Sequence, residues 1–151
     1  MTEYPKLRPL NLRWTQWEGQ EVLVLQDPLR MTENSLVVPR PLTPFLALLD
    51  GLRDTEEIAA ALAERLGPCE VKDPTDPEAG LAAFTVPGQA EAVWGMIEEG
   101  CEETGTTHVT EKHGARLEQM ERCDYIRPTI LHCDSPDLKM ANTEYMFPFT
   151  S

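Results

Sequence analysis

The segment from Ser35 to Gly67 constrains the fold more than any other part of the sequence. An apolar run that ends at Val38 predicts a short strand. Thr43 is suited to cap a helix that begins at Pro44, because proline lacks an N–H that the first helical turn would leave unpaired. The apolar residues that continue at helical spacing are Leu42, Phe45, Leu46 and Leu49. This pattern predicts one apolar helical face directed at a core.

A second helix is predicted directly after the first. Gly51 is placed to end the first helix in a left-handed conformation. Asp54 and Glu57, three residues apart, form a capping-box pattern, and Gly67 ends the second helix. Its apolar face consists of Ile58, Leu62 and Leu66. Two short helices behind a strand predict a helix-turn-helix-like unit.

The residues before this unit predict a β-hairpin. Residues 1–20 are punctuated by prolines and are expected to be irregular, with a turn at residues 18–20. Residues 21–26 (EVLVLQ) predict a strand, residues 29–34 a loop, and residues 35–38 a returning strand. A hairpin followed by two helices is the layout of a winged-helix-like unit, so the expected fold class is α+β.

Three parts of this region resemble known small domains. Asp27-Pro28-Leu29, the run LLDGLRD at residues 48–54, and Glu57-Ile58 with Leu62 resemble the first domain of AmmeMemoRadiSam system protein B, the MEMO-like proteins. They are also similar to PqqD-like modules, which bind a leader peptide by β-augmentation. The resemblance covers residues 5–67 and implies recognition of a protein or peptide, with no chemistry of its own.

Charge excludes several classes of partner. The formal net charge is −13, and residues 68–151 hold six cations against sixteen carboxylates. Nucleic-acid binding needs a basic surface, so it is not expected. The sequence has no apolar run of about 18 residues and no signal-peptide core near its start, so neither a membrane partner nor export is expected. We expect a cytoplasmic protein whose cysteines, Cys69, Cys101, Cys123 and Cys133, are reduced thiols.

The second half is predicted to combine one helix with short strands. Residues 68–88 are a proline-rich connection, within which Leu81–Val86 predicts a short strand. Gln89–Glu103 predicts a helix whose acidic outer face is solvated. Residues 114–121 are expected to form one or two helical turns, and residues 125–132 an edge or bulged strand interrupted by Pro128. The aromatic segment at residues 145–149 suggests a strand that is cut short.

A second resemblance covers residues 89–151. Tyr125-Ile126, Pro128-Thr129, Glu144 and Pro148 resemble the late catalytic-domain region of aldehyde dehydrogenases. The resemblance implies that Glu144 contacts the nicotinamide ribose of NAD(P), although Phe147 stands where that family usually has glycine. The family's nucleophile segment has no counterpart here, and the sequence lacks a glycine-rich turn for a dinucleotide. No catalytic residue is therefore assigned.

Two further features have competing interpretations. Trp14 and Trp17 are expected to cover the edge of the first core, with ligand stacking as the alternative. Zinc-type side chains occur at Cys123, His132 and Cys133, with His108 or His113. Their spacing is irregular, and adjacent residues of a strand point to opposite faces, so no metal site is expected.

These observations predict a non-catalytic recognition or scaffold protein with a protein or peptide partner. The expected domains are residues 1–67, a connection at 68–88, and a dehydrogenase-like segment at 89–151. The alternative is a fragment or subunit of an NAD(P)-dependent aldehyde dehydrogenase. No other cofactor is expected.

Overall fold

The computed structural model describes residues 4–32 and 34–151. The chain is α+β, as predicted, and it divides into two compact units, residues 1–58 and 59–151. This division falls within a helix and not at Gly67, where the sequence placed a boundary. Ala59 and Ala63 of that helix pack against Ile130, so the helix from residue 59 onward belongs to the second unit.

Three antiparallel strands form the sheet of the first unit. They are β1 (Asn11–Trp17), β2 (Gln20–Gln26) and β3 (Leu36–Pro39), in the spatial order β1-β2-β3. The hairpin of β2 and β3 confirms the sequence prediction. The expectation that residues 1–20 are irregular is wrong for β1, which pairs with β2 along its whole length. Six of its seven residues are exposed, so its sequence lacks the buried alternation that identifies a strand.

The turn between β1 and β2 confirms its prediction. Glu18 and Gly19 have φ values of 48° and 80°. Positive φ at both central residues is typical of a type I′ turn. The twist of this turn matches the right-handed twist of the two strands that it joins. The turn therefore fixes the register of Trp17 opposite Gln20.

The first predicted helix is shorter than expected. A 3₁₀ turn (Arg40–Leu42) leads into α1 (Thr43–Leu46), and the expected continuation to Leu49 is absent. The backbone leaves the helix because Leu7 N–H donates to Leu49 O at 3.0 Å. Close packing also favours this exit, since a Cβ on Gly51 (φ 80°) would come within 2.8 Å of the Lys6 side chain.

Thr43 does not cap this helix. It lies inside the helix, and its hydroxyl donates to Arg40 O at 2.8 Å. The predicted capping box of the second helix is confirmed. In α2 (Thr55–Leu66), Glu57 N–H donates to Asp54 Oδ1 at 2.8 Å, and Asp54 N–H donates to Glu57 Oε2 at 3.0 Å.

The core of the first unit is small. Leu23, Leu25 and Val38 form its buried cluster, against which Leu10 and Leu46 pack. Burial of so few apolar side chains gives a modest stabilisation, at about 1.5–3 kcal/mol for each large residue.

The second unit contains residues 59–66 of α2, one further long helix and five short strands. The helix is α3 (Gln89–Cys101), as predicted. The strands are β4 (Thr106–His108), β5 (Leu117–Met120), β6 (Cys123–Ile126), β7 (Thr129–Cys133) and β8 (Phe149–Thr150). One sheet has the order β4-β7-β8, with β7 antiparallel to β4 and parallel to β8. The β5–β6 hairpin is separate.

Three predictions for this unit are wrong. The strand expected at Leu81–Val86 is reduced to a single bridge between Phe84 and Asp124. The segment expected to be helical contains β5, because Glu121 and Arg122 adopt positive φ (49° and 72°) and close a hairpin. Pro128 does interrupt residues 125–132, but it separates two strands of different sheets. β7 is a central strand and not an edge.

The larger of the two buried clusters of the second unit is built from α3, β7, Met140 and the aromatic segment near residue 147. Ile97, Leu131 and Met140 are at most 2% exposed. Tyr145 and Phe149 contact each other edge to face, with ring centroids 4.9 Å apart, and both pack against this cluster. Residues 149–150 form β8, so the aromatic segment is part of the core and of its sheet.

Two arginines tie the β5–β6 hairpin to the end of α2. Arg116 is 1% exposed, and its guanidinium donates to Gly67 O and Gly114 O at 2.9 Å and to His113 O at 2.5 Å. Arg127 donates to Cys69 O at 2.7 Å and to Gly67 O at 3.2 Å. These bonds satisfy carbonyl groups that the end of a helix leaves without partners.

Candidate functional site

The outer edge of β1 is the candidate binding surface. β1 is the first strand in the sheet order, so only its inner edge pairs with β2, and no described strand lies along its outer edge. At about 3.3 Å per residue, its seven residues present an edge about 23 Å long. Such an edge carries unpaired backbone N–H and C=O groups, which are a template for another strand.

The turn geometry identifies which backbone groups point outward. In a two-residue hairpin the pair that flanks the turn, here Trp17 and Gln20, exchanges hydrogen bonds. Bonded and non-bonded pairs then alternate along the strand. Leu12, Trp14 and Gln16 therefore direct their N–H and C=O groups away from β2. A strand added to this edge would pair with these three residues.

Two of these residues, Leu12 and Trp14, lie on an apolar face of the sheet. Two rows cross the sheet in register. They are Leu12–Leu25–Leu36 and Trp14–Leu23–Val38. The members on β2, together with Val38, are buried, whereas Leu12, Leu36 and Trp14 are 61%, 60% and 49% exposed. Apolar area therefore remains uncovered beside the free edge.

Arg40 orients one part of this face. Its guanidinium lies 5.9 Å from the centroid of the Trp14 ring and contacts the carboxylate of Glu21. A cation above an indole restrains the ring. Arg40 therefore favours one orientation of Trp14 on the surface before any partner binds.

The expectation that both tryptophans cover the edge of the first core agrees with the position of Trp14, which is paired with Leu23 of the buried cluster, and is not supported for Trp17. The partly buried side chains that pack against this cluster within the described residues are Leu10 and Leu46. Trp17 is 57% exposed and lies on the opposite face of the sheet from Trp14. The alternative, that an indole contacts a ligand, stays a prediction, and Trp14 is the better placed of the two.

Asp27 holds the chain that follows β2. Its carboxylate accepts N–H groups from Leu29 at 2.9 Å and Met31 at 2.8 Å, and it pairs with Arg8 at 2.9 Å. Burial alone would raise the pKa of Asp27, but these N–H donors and Arg8 lower the pKa below its usual value. The loop after β2 is therefore organised by an ionised carboxylate.

Glu144, the residue that the second resemblance assigns to cofactor binding, lies on the surface of the second unit. Its side chain is exposed, just before the aromatic segment that enters the core. The predicted contact with a nicotinamide ribose stays a prediction, because nothing in the structure tests it.

The zinc-type residues are spread over several elements. Cys123 lies on β6, His132 and Cys133 lie on β7, and His108 lies on β4. Within residues 4–32 and 34–151, no group of three or more potential ligands is arranged to hold a metal ion. Burial raises the pKa of the Cys101 and Cys133 thiols, which keeps them protonated and poorly nucleophilic.

The second unit has an open cleft of about 920 Å³ between α3 and the residues that follow β4. Trp94 and His108 lie on its wall, with ring centroids 5.7 Å apart, and burial lowers the pKa of His108. Arg116 also reaches it, but carbonyl groups occupy its donors. No cleft is predicted here from the sequence. The available signal was the helical spacing of Trp94, Ile97 and Cys101, which places them on one side of α3.

The comparisons with other proteins do not extend this description. The chain matches no protein-family model, and searches of curated proteins and of solved structures find no significant match. Among the helices of the described residues, none combines the length and the apolar character needed to cross a membrane.

Proposed function

We propose that this chain is a recognition protein that binds an extended segment of a partner along the outer edge of β1. The observation that carries the proposal is the combination of a seven-residue unpaired strand edge with exposed apolar side chains at Leu12 and Trp14. Backbone hydrogen bonds would supply affinity, and alternate side-chain contacts would supply selectivity. The resemblance to PqqD-like modules is consistent with this mode of binding.

The site is preorganised in two respects. The type I′ turn at Glu18 and Gly19 fixes which N–H groups of β1 face outward. Arg40 restrains Trp14 beside that edge. Preorganisation lowers the entropy that binding must lose, so a short extended peptide is a sufficient probe.

The test uses the full chain and three capped seven-residue peptides in which valine alternates with glutamine, glutamate or lysine. Binding is followed by ¹⁵N amide chemical shifts. We expect changes concentrated at Leu12, Trp14 and Gln16, because these residues would form the new hydrogen bonds.

Two variants at one position separate backbone pairing from side-chain contact. Gln16→Pro removes an outward N–H, which an edge strand tolerates, and should weaken binding about tenfold or more. Gln16→Val keeps the N–H and should bind like the unmodified chain. The proposal fails if no peptide binds the folded chain, or if Gln16→Pro binds as well as Gln16→Val.

A further inference from the structure

The free edge of β1 carries one charged side chain, Arg13, at an exposed position. The surrounding segment is unusual in this acidic protein. Residues 4–17 contain three cations and no carboxylate, although the formal net charge of the chain is −13. Positive charge therefore predominates in the segment that includes the proposed binding edge.

Neighbouring cations are already neutralised by carboxylates of the same unit. Arg8 pairs with Asp27 at 2.9 Å, and Arg40 pairs with Glu21. In the described parts of the chain, no carboxylate oxygen comes within 4 Å of the Arg13 guanidinium. Arg13 is thus a cation able to meet an incoming carboxylate.

Strand geometry places this charge on the face opposite to the apolar side chains. Arg13 is paired with Val24, whereas Leu12 and Trp14 are paired with Leu25 and Leu23, and successive residues point to opposite faces. A strand added to β1 would alternate in the same way. Its residues on one face would lie beside Leu12 and Trp14, and those on the other face beside Arg13.

From this arrangement, and resting on the function proposed above, we propose that the segment bound by β1 alternates apolar and acidic residues. Apolar side chains would cover Leu12 and Trp14, and a glutamate or aspartate would pair with Arg13. Opposite charges on neighbouring strands stabilise their pairing, and like charges oppose it.

A second copy of this chain is a poor occupant of the same edge. Its β1 would bring another Arg13 and no carboxylate, since residues 11–17 contain none. Two copies would also bring together two net charges of −13. The acidic segment therefore belongs to a different protein.

The three valine peptides test this inference, with affinity measured by calorimetry at low salt. The glutamate peptide should bind the unmodified chain about threefold or more tightly than the glutamine peptide, and the lysine peptide should bind most weakly. Arg13→Gln should remove this order. Arg13→Glu should reverse it, so that the lysine peptide binds best.

The outcomes distinguish this inference from the proposed function. Equal binding of all three peptides, or an order that Arg13→Glu leaves unchanged, overturns the preference for acidic residues and leaves edge recognition intact. Binding of none of the peptides overturns both. Sedimentation that shows a dimer dependent on the β1 edge would overturn the assignment to a different protein.

Discussion

The β1–β2 hairpin and the β5–β6 hairpin close in the same way and lie in different surroundings. Each turn has two central residues, and all four of these residues have positive φ. Yet six of the seven residues of β1 are exposed, whereas Tyr125 and Ile126 of β6 are 2% exposed. Turn geometry fixes register within a hairpin, and it does not decide whether the hairpin is buried.

The residues that flank the two hairpins account for the difference. Arg8 precedes β1 and forms an ion pair with Asp27, which follows β2, but the Arg8 side chain remains 40% exposed. Arg116 precedes β5 and is 1% exposed, with its guanidinium bonded to backbone carbonyls. A surface ion pair leaves the first hairpin accessible. Buried bonds from Arg116 fix the second hairpin to the rest of its unit.

The largest expected effect is the loss of Arg116. Arg116→Met would leave the carbonyl oxygens of Gly114 and His113 without a charged donor, and Gly67 O would keep only its bond from Arg127. We expect the free energy of unfolding to fall by about 2–4 kcal/mol, because a buried acceptor without a partner loses more than the net value of one hydrogen bond. Urea denaturation followed by circular dichroism measures this loss.

Arg122→Met is the matched control on the same hairpin. Arg122 is exposed in the turn, so the same change of side chain should alter stability by less than about 0.5 kcal/mol. Equal effects of the two substitutions would show that Arg116 is not the anchor of the hairpin.

Glycine should stabilise both turns, so removing it from the first turn and adding it to the second should change stability in opposite directions. Gly19 occupies a left-handed position with open space around it, so Gly19→Ala should destabilise by about 1 kcal/mol through conformational strain alone. Arg122 adopts φ 72° without the freedom of glycine, so Arg122→Gly should stabilise by about 0.5–1 kcal/mol. Urea midpoints with unchanged slopes measure both. Effects of the same sign would contradict the assignment of equivalent turns.

These turns also show how much the sequence could predict. Glycine at position 19 made the first turn recognisable, whereas Glu121 and Arg122 carry no turn signal, and residues 114–121 were expected to be helical. The capping box of Asp54 and Glu57 was predictable because both partners lie within four residues. The Glu121–Arg122 turn was not predictable, because neither residue type favours the positive φ that it adopts there.

The candidate site depended on information that the sequence does not contain. Residues 21–26 predicted a strand because they contain four consecutive apolar residues, and the structure buries all four. β1 forms through pairing with that strand, and its own exposed residues give no periodic signal. The free edge, and the opposite faces of Leu12 and Arg13, follow only once that pairing is known. Similarly, Thr43 was a plausible cap until a preceding 3₁₀ turn moved the start of the helix.

The smallest expected effect on stability comes from an exposed arginine, Arg40, and contrasts with that of the buried Arg116. Arg40 and Glu21 form an ion pair whose side chains are 69% and 38% exposed. Arg40→Met should therefore cost less than about 1 kcal/mol, including the loss of its contact with Trp14. Salt sharpens the comparison, since it screens interactions between exposed charges much more than interactions of buried charges. In 0.5 M salt (roughly 4 Å of screening length) the effect of Arg40→Met should decrease, while that of Arg116→Met should persist. If both effects decreased in parallel, the buried bonds of Arg116 would not be what distinguishes the second hairpin from the open edge of the first.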